Sequence, residues 1–155
     1  MSHKYVKLFI GITIAFALIV PTQAIASTTQ PLTGPPPNYM PYTIFDPSYD
    51  YLEDGYGGMF DLGDGEVSVY GHTFATFDVD VVGVQVTLQR WTGSVWINED
   101  FGANSVFYND SYSFSSRKIN VLTGYYYRIK TTHWVEYNNV LEDGVRYTSS
   151  LLVVD

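Results

Sequence analysis

Apolar and polar residues alternate along most of the chain from residue 63 onward. The alternation is cleanest at residues 84–89, where Val84, Val86 and Leu88 are separated by polar residues. Because successive side chains of a β-strand point to opposite faces, this period of two predicts a strand with one face in the core. Further strands are predicted at residues 67–70, 74–82, 96–100, 111–121, 125–134 and 145–154.

Turn residues separate these segments, and no helical spacing of apolar residues occurs after residue 26. The turns are predicted at residues 92–94, 122–124 and 138–144. Short strands at regular spacing with turns between them are typical of an antiparallel β-sandwich. The sequence therefore predicts an all-β chain in which residues 63–155 form a single antiparallel sandwich of about seven strands.

The first 26 residues have the pattern of a secretory signal peptide. Lys4 and Lys7 precede an uncharged apolar run at residues 8–20, and the small residues Ala24 and Ala26 follow it. The 13 residues of the run are short for a hydrocarbon core of ~30 Å, so an uncleaved anchor is the less favoured alternative. We therefore expect a secreted protein, extracellular or associated with the cell envelope, that meets the membrane only through this peptide before cleavage.

Residues 27–62 differ in composition and are rich in proline, tyrosine and aspartate. The run Gly34-Pro35-Pro36-Pro37 predicts an extended, polyproline-like backbone, since a residue before proline avoids the α region. Residues 27–66 contain seven acidic residues and no Lys or Arg. We interpret residues 27–62 as an irregular N-terminal arm. It is either solvated, with its aromatic side chains partly packed on the domain, or used to bind a partner or a cation.

A local pattern at residues 121–129 consists of Val121, Gly124, Tyr127 and Ile129. This pattern resembles the tyrosine-corner segment of fibronectin type III domains, in which a tyrosine hydroxyl bonds to nearby backbone. The resemblance implies an immunoglobulin-like or fibronectin III-like sandwich and a structural role for Tyr127. It implies nothing about function.

Two longer strings, at residues 84–96 and 124–133, resemble a family of small secreted proteins of Gram-positive, bacillus-like bacteria that is classed as a domain of unknown function. The string Gly-Tyr-Tyr-Tyr-Arg-Ile-Lys-Thr-Thr-His is its most specific part. The later residues that fit are Glu142 and 147–150. The resemblance covers about residues 66–154 and departs at Trp134 and in the acidic arm. It implies a secreted β domain and no transferable catalytic residues.

Composition restricts the chemistry available to the chain. Its 155 residues include 8 Lys and Arg, 16 Asp and Glu and no cysteine, which gives a formal net charge of −8. Removal of residues 1–26 would change this charge to −10, since Lys4 and Lys7 are lost. An acidic balance argues against nucleic acid as a partner, because phosphates repel it. The absence of cysteine excludes disulfides, thiolate metal sites and a cysteine nucleophile.

Catalytic and metal-binding patterns are weak. His72 and His133 are the histidines left after the signal peptide, which is too few for a typical zinc site, and we interpret both as structural residues at turns or strand ends. No Gly-x-Ser-x-Gly element accompanies them, and the adjacent acidic pairs are typical of solvated loops. Residues 61–66 lack the ligand spacing of an EF-hand, which leaves a calcium site of another kind open. We expect no catalytic residue, no metal site and no cofactor.

Strand parity leads to a hypothesis about one surface. If the valines of residues 84–89 face the core, alternate residues of that strand and of residues 125–134 lie on the opposite face. The candidate ligand-binding residues there are Gln85, Gln89, Trp91, Tyr126, Arg128, Lys130 and Trp134. Aromatic, amide and cationic groups suit sugars or protein partners. The same residue types also pack across exposed strands without a ligand, and Trp91 and Trp96 are a candidate cross-strand pair of this kind.

We therefore expect a secreted, non-catalytic interaction module whose partner is a protein or a glycan outside the cell. The alternative is a carbohydrate-binding module that uses exposed Trp and Tyr on one sheet face, and a small hydrolase is less favoured. A further hypothesis is that the acidic arm docks on the cationic residues near this face, or on a neighbouring molecule. The arm would then screen the face until a partner competes.

Overall fold

The structure is a computed structural model that describes residues 30–37 and 45–154, so the predicted signal peptide lies outside the described residues. The strands are β1 (Leu52–Gly63), β2 (Glu66–Trp91), β3 (Trp96–Asp100), β4 (Asn104–Asn120), β5 (Tyr126–Tyr137), β6 (Val140–Tyr147) and β7 (Leu151–Leu152). Their pairings are antiparallel and join them in one seven-stranded sheet. The predicted all-β, antiparallel class is confirmed. Within the described ranges, no helix is long and apolar enough to cross a membrane.

The sheet is curled into a half-barrel around β2, which is 26 residues long. The first half of β2 pairs with β1 and the second half with β5. Along its other edge, β2 pairs with β4 over both halves. Between Phe74 and Val79, β2 contains extra residues, because β4 advances only from Tyr112 to Asp110 over the same interval. Such a bulge bends a strand and increases its twist. The predicted two-sheet sandwich is not confirmed, because one continuous sheet folds back on itself.

Glycines lie where the two halves of β2 face each other. A Cβ at Gly71 would lie 2.8 Å from a methyl carbon of Val86. Nearby, the Thr73 hydroxyl donates a hydrogen bond to the Gly83 carbonyl at 2.9 Å. Glycine inside a strand often marks such a close approach. The three strands predicted between residues 67 and 89 are consequently parts of one strand, β2.

Residues 52–62, for which the sequence predicts an irregular arm, form most of β1. A Cβ at Gly55 would collide with the His133 imidazole, and a Cβ at Gly57 would collide with the Thr131 methyl group. The glycines that suggest a loop therefore make room for side chains of β5. The domain begins at β1 rather than at residue 63.

The core lies inside the half-barrel and has two parts. One part combines valines from both halves of β2 with Ile129, and the other is centred on Phe45 and Val135. The inward residues predicted for β2, namely Val84, Val86 and Leu88, are fully buried. Tyr127 is also fully buried, and its hydroxyl donates to the Leu122 carbonyl at 2.9 Å. Burial is the main cause that raises the pKa of Tyr127 to about 12, so the hydroxyl keeps the proton it donates.

Residues 45–51, which precede β1 directly, pack against β6. Phe45 is buried in the core. The buried Glu142 carboxylate accepts hydrogen bonds from three consecutive backbone N–H groups, those of Asp50, Tyr51 and Leu52, at 2.8, 2.9 and 2.6 Å. Hydrogen bonds to an ionised carboxylate are stronger than bonds between neutral groups. This part of the arm is therefore fixed to the domain.

Candidate functional site

A groove lies on the outer face of the sheet where the ends of β2, β3, β5 and β6 meet. Trp91 and Trp96 are cross-strand partners with ring centroids 5.3 Å apart. With Arg128 and Tyr147 they line a cavity of about 460 Å³, which Thr148 and Ser150 complete on one side. We call these six residues the tryptophan groove. The pairing of Trp91 with Trp96 stabilises the turn between β2 and β3, and it also builds one wall of the groove.

Arg128 is held rigidly in this wall. Its guanidinium carbon lies 4.4 Å from the centroid of the Trp96 ring and 4.5 Å from that of the Tyr147 ring. Its Nε donates to Gln89 Oε1 at 2.8 Å, and Gln89 Nε2 donates in turn to Asn98 Oδ1 at 2.8 Å. Burial is the main cause that lowers the pKa of Arg128 from its ordinary value. The cation therefore fixes the two aromatic rings by cation–π contact.

The chain itself places a proline-rich segment against the groove. Trp91 Nε1 donates a hydrogen bond to the Gly34 carbonyl at 3.1 Å, and Pro36 and Pro37 line the cavity beside the tryptophans. A second anchor is the Leu32 N–H, which donates to the Gly124 carbonyl at 2.7 Å. The arm thus lies on the predicted face. Residues 30–37 are held there by the hydrogen bonds of Leu32 and Gly34, whereas an acidic residue of the arm, Asp54 in β1, forms an ion pair with Arg146 at 2.8 Å.

The structure divides the predicted ligand-binding residues among several places. Gln89, Trp91 and Arg128 meet at the groove. Gln85, Lys130 and Trp134 lie farther along the same outer face, whereas Tyr126 begins β5, two residues before Arg128, and pairs with Leu152. Arg128 and Trp134 are six residues apart on one strand, about 20 Å by the rise of a β-strand. The predicted set is therefore a stripe and not one site.

Trp134 packs against a glycine of β2, away from the tryptophan groove. A Cβ at Gly83 would collide with the indole of Trp134, so the half-buried ring lies across the glycine of the neighbouring strand. A tryptophan thus stands where the family resemblance implies a smaller residue, and Gly83 provides its space.

A second aromatic surface, which was not predicted from the sequence, covers the outer face of β1, the first half of β2 and the middle of β4. We call it the aromatic ladder, and its residues are Tyr56, Phe60, Tyr70, His72, Phe74, Tyr112 and Phe114. Neighbouring rings stack on each other, as in the Tyr56–His72 pair at 4.7 Å and the Phe60–Tyr70 pair at 5.5 Å. Phe60 is 58% exposed and Tyr56 is 44% exposed. The shared parity of Tyr70, His72 and Phe74 was the available sequence signal.

His72 belongs to this ladder in the middle of β2, and not to a turn or strand end as expected. Its Nδ1 lies 2.7 Å from the Tyr112 hydroxyl, and partial burial lowers its pKa. The ring is therefore one member of a stacked surface.

His133 occupies the interior of the half-barrel, within β5, and is fully buried. Its Nδ1 lies 2.8 Å from Thr73 Oγ1 and its Nε2 lies 2.7 Å from Thr131 Oγ1. Since the Thr73 hydroxyl donates its proton to Gly83, it accepts from the Nδ1–H, and Nε2 accepts from the Thr131 hydroxyl. Burial, with a smaller contribution from the Arg146 guanidinium, lowers the pKa of His133 to about 4. The neutral ring thus completes a polar cluster in the core.

Across residues 30–37 and 45–154, no group of three or more His, Asp or Glu side chains is placed to hold a metal ion. In residues 61–66 the Asp61 carboxylate accepts the Gly63 N–H at 2.9 Å. Gly63, Asp64 and Gly65 all have positive φ, at 82°, 53° and 69°. These contacts build the tight turn between β1 and β2.

Comparison with known proteins gives no family. No protein-family model matches the chain, and no curated sequence matches it. One solved structure, described as a crystal structure of a protein from Archaeoglobus fulgidus, is similar to 66% of this chain and 97% of its own at 12% identity and a TM-score of 0.32. A similarity at this level carries no argument about fold or function. The resemblance to secreted Gram-positive proteins stays a prediction.

Proposed function

We propose that this protein is an exported, non-catalytic interaction module whose tryptophan groove binds extended, proline-rich segments of protein partners. The observation behind the proposal is that the chain's own Gly34–Pro37 run borders the groove: the Gly34 carbonyl accepts the Trp91 Nε1–H, and Pro36 and Pro37 line the cavity. Export is supported by the signal-peptide pattern of residues 1–26.

The chemistry of the groove suits a polyproline backbone. Such a backbone has no internal hydrogen bonds, so its carbonyl oxygens are free acceptors. An indole N–H that projects from an aromatic wall satisfies one of them, as Trp91 Nε1 does for the Gly34 carbonyl. The proline rings then pack on neighbouring aromatic side chains, and the stiff backbone loses little entropy on binding. Arg128, clamped between two rings, keeps the wall in place.

The segment present in the same chain acts as an internal competitor. A tethered segment competes at an effective concentration in the millimolar range, so a free peptide of equal intrinsic affinity binds weakly until the tethered one is removed. The arm would therefore screen the groove until a tighter ligand displaces it.

The test uses a labelled peptide with the sequence of residues 30–37 and a chain that lacks residues 30–37, so that the anchors at Leu32 and Gly34 and the two prolines are all removed. We expect binding by fluorescence anisotropy. In this background, Trp96→Ala should weaken binding at least tenfold, which corresponds to ~1.4 kcal/mol. The matched control is Trp134→Ala, on the same face but about 20 Å away, which should leave binding unchanged. Equal losses in both variants would contradict the proposal.

Carbohydrate binding is the second candidate, and the position of Trp134 favours it. Its half-buried indole lies across Gly83. Sugar rings stack on such a platform, whereas most rings of the aromatic ladder already stack on each other. A polysaccharide pull-down with the same two variants separates the candidates, since sugar binding should be lost in Trp134→Ala and kept in Trp96→Ala.

We also propose a relationship to immunoglobulin-like or fibronectin III-like sandwiches and to the secreted Gram-positive family. The hydrogen bond from the Tyr127 hydroxyl to the Leu122 carbonyl supports the first. The string at residues 124–133 supports the second.

A further inference from the structure

We propose that β4 pairs with β4 of a second copy of this chain in antiparallel orientation, and that the two aromatic ladders thereby join into one surface. This interaction lies on the other half of the sheet from the tryptophan groove and does not depend on the proposed function. Among the described strands β4 pairs with β2 alone, along one edge, although it is 17 residues long. Its second edge is a row of backbone donors and acceptors.

Exposed apolar side chains accompany this edge. Tyr108 is 70% exposed, Phe107 is 44% exposed and Phe114 is 40% exposed. Soluble proteins usually protect a long edge strand with proline, frequent charges or a covering segment. Residues 104–118 contain no proline, and their charged residues are Asp110 and, at the end of the stretch, Arg117 and Lys118. A long apolar edge of this kind is a template for pairing with another strand.

Charge complementarity selects one register. If the two-fold axis passes through Phe114, Lys118 of each copy lies opposite Asp110 of the other. Tyr112 lies opposite Ser116, and Phe114 lies opposite its own equivalent. Registers centred one or two residues away do not bring Lys118 opposite Asp110. The dimer thus has one favoured register with two ion pairs.

The backbone geometry of β4 also restricts which residues can take part in the pairing. Asn109 has a positive φ of 51°, and the pairing of β4 with β2 shifts its register next to it, between Asp110 and Tyr112. The regular part of the strand therefore begins at Tyr112, and a pairing centred on Phe114 spans residues 110–118, with Asp110 beyond the shift and Lys118 at the other end. A pairing of nine residues buries less area than the ~800 Å² per partner of a standard interface. We therefore expect a dimer that dissociates in the micromolar range and weakens with salt.

Sedimentation of the full mature chain over a wide concentration range tests the inference. The expected result is a reversible monomer–dimer equilibrium that Lys118→Asp weakens at least tenfold and that added Asp110→Lys restores. Lys118 is exposed and its ion pair with Glu66 is a surface contact, so the single variant should stay folded. The control is Lys130→Asp on β5, which should leave the equilibrium unchanged. A monomer at every concentration overturns the inference, and so does a dimer that is insensitive to Lys118→Asp.

Discussion

The polar cluster around His133 predicts how stability responds to acid. The ring is fully buried and neutral, and both nitrogens bond to threonine hydroxyls. A proton added to Nε2 would bring a charge into the core beside the Arg146 guanidinium, which itself lowers the pKa of His133. In the unfolded chain the same histidine takes up the proton without this penalty. Acid should therefore favour unfolding through this residue.

The magnitude follows from the two pKa values. The difference between the ordinary value of 6.5 and the folded value of about 4 corresponds to about 3 kcal/mol, since one pKa unit is ~1.4 kcal/mol. Because the folded pKa is the lower one, the unfolded state binds more protons between the two values. This stability is complete above the unfolded pKa and is lost as the pH falls toward the folded pKa. Between about pH 7 and about pH 4.5 the loss should be about 2 kcal/mol.

Urea denaturation at the two pH values, for the wild-type chain and for His133→Gln, measures this loss. Carboxyl groups titrate in both proteins, so the difference between their losses isolates His133. We expect the variant to be less stable near neutral pH and to lose about 2 kcal/mol less on acidification. His72→Gln is the control, because His72 is partly exposed and should give a smaller difference. Equal losses in the wild type and His133→Gln would refute the assignment of a neutral, buried His133.

Three further changes test individual contacts by chemical denaturation. Glu142→Gln removes the charge that accepts three backbone N–H groups and should cost about 1–3 kcal/mol, whereas Glu136→Gln, half-buried on β5, should cost less. Tyr127→Phe deletes the hydrogen bond to the Leu122 carbonyl and should cost about 1 kcal/mol, so an unchanged stability would show that this bond does not stabilise the fold. Gly83→Ala drives a methyl group into the Trp134 indole and should cost about 1–3 kcal/mol, a loss that Trp134→Val in the same chain should reduce.

The fold was predictable where one strand face is buried and the other is not. Val84, Val86 and Leu88 alternate with polar residues and lie in the core as predicted. The continuity of β2 was not predictable, because Gly71 and Gly83 resemble breaks in a sequence. In the structure each makes room for a side chain of another strand or strand segment, Val86 in one case and Trp134 in the other. Local patterns do not contain such long-range contacts.

The binding surfaces were predictable from the sequence only in part, for the same reason. Parity placed Gln89, Trp91 and Arg128 on one face, and strand pairing brings them together. The position of Pro36 beside them was not predictable, since nothing local links the arm to that face. The aromatic ladder was missed because it depends on which strands are neighbours. Its ring contacts join β1 to β2 and β2 to β4, whereas the sequence predicts an irregular arm for most of β1.

We propose, as the main functional hypothesis, that the tryptophan groove recognises a proline-rich segment and that the chain's own arm, which borders the groove, competes for it. It is tested by the dissociation constant of the peptide of residues 30–37, measured for the wild-type chain and for the chain that lacks residues 30–37. We expect binding to be about tenfold tighter in the second chain, because the tethered competitor is removed. Equal affinity in the two chains, or no binding to the opened groove, would contradict it.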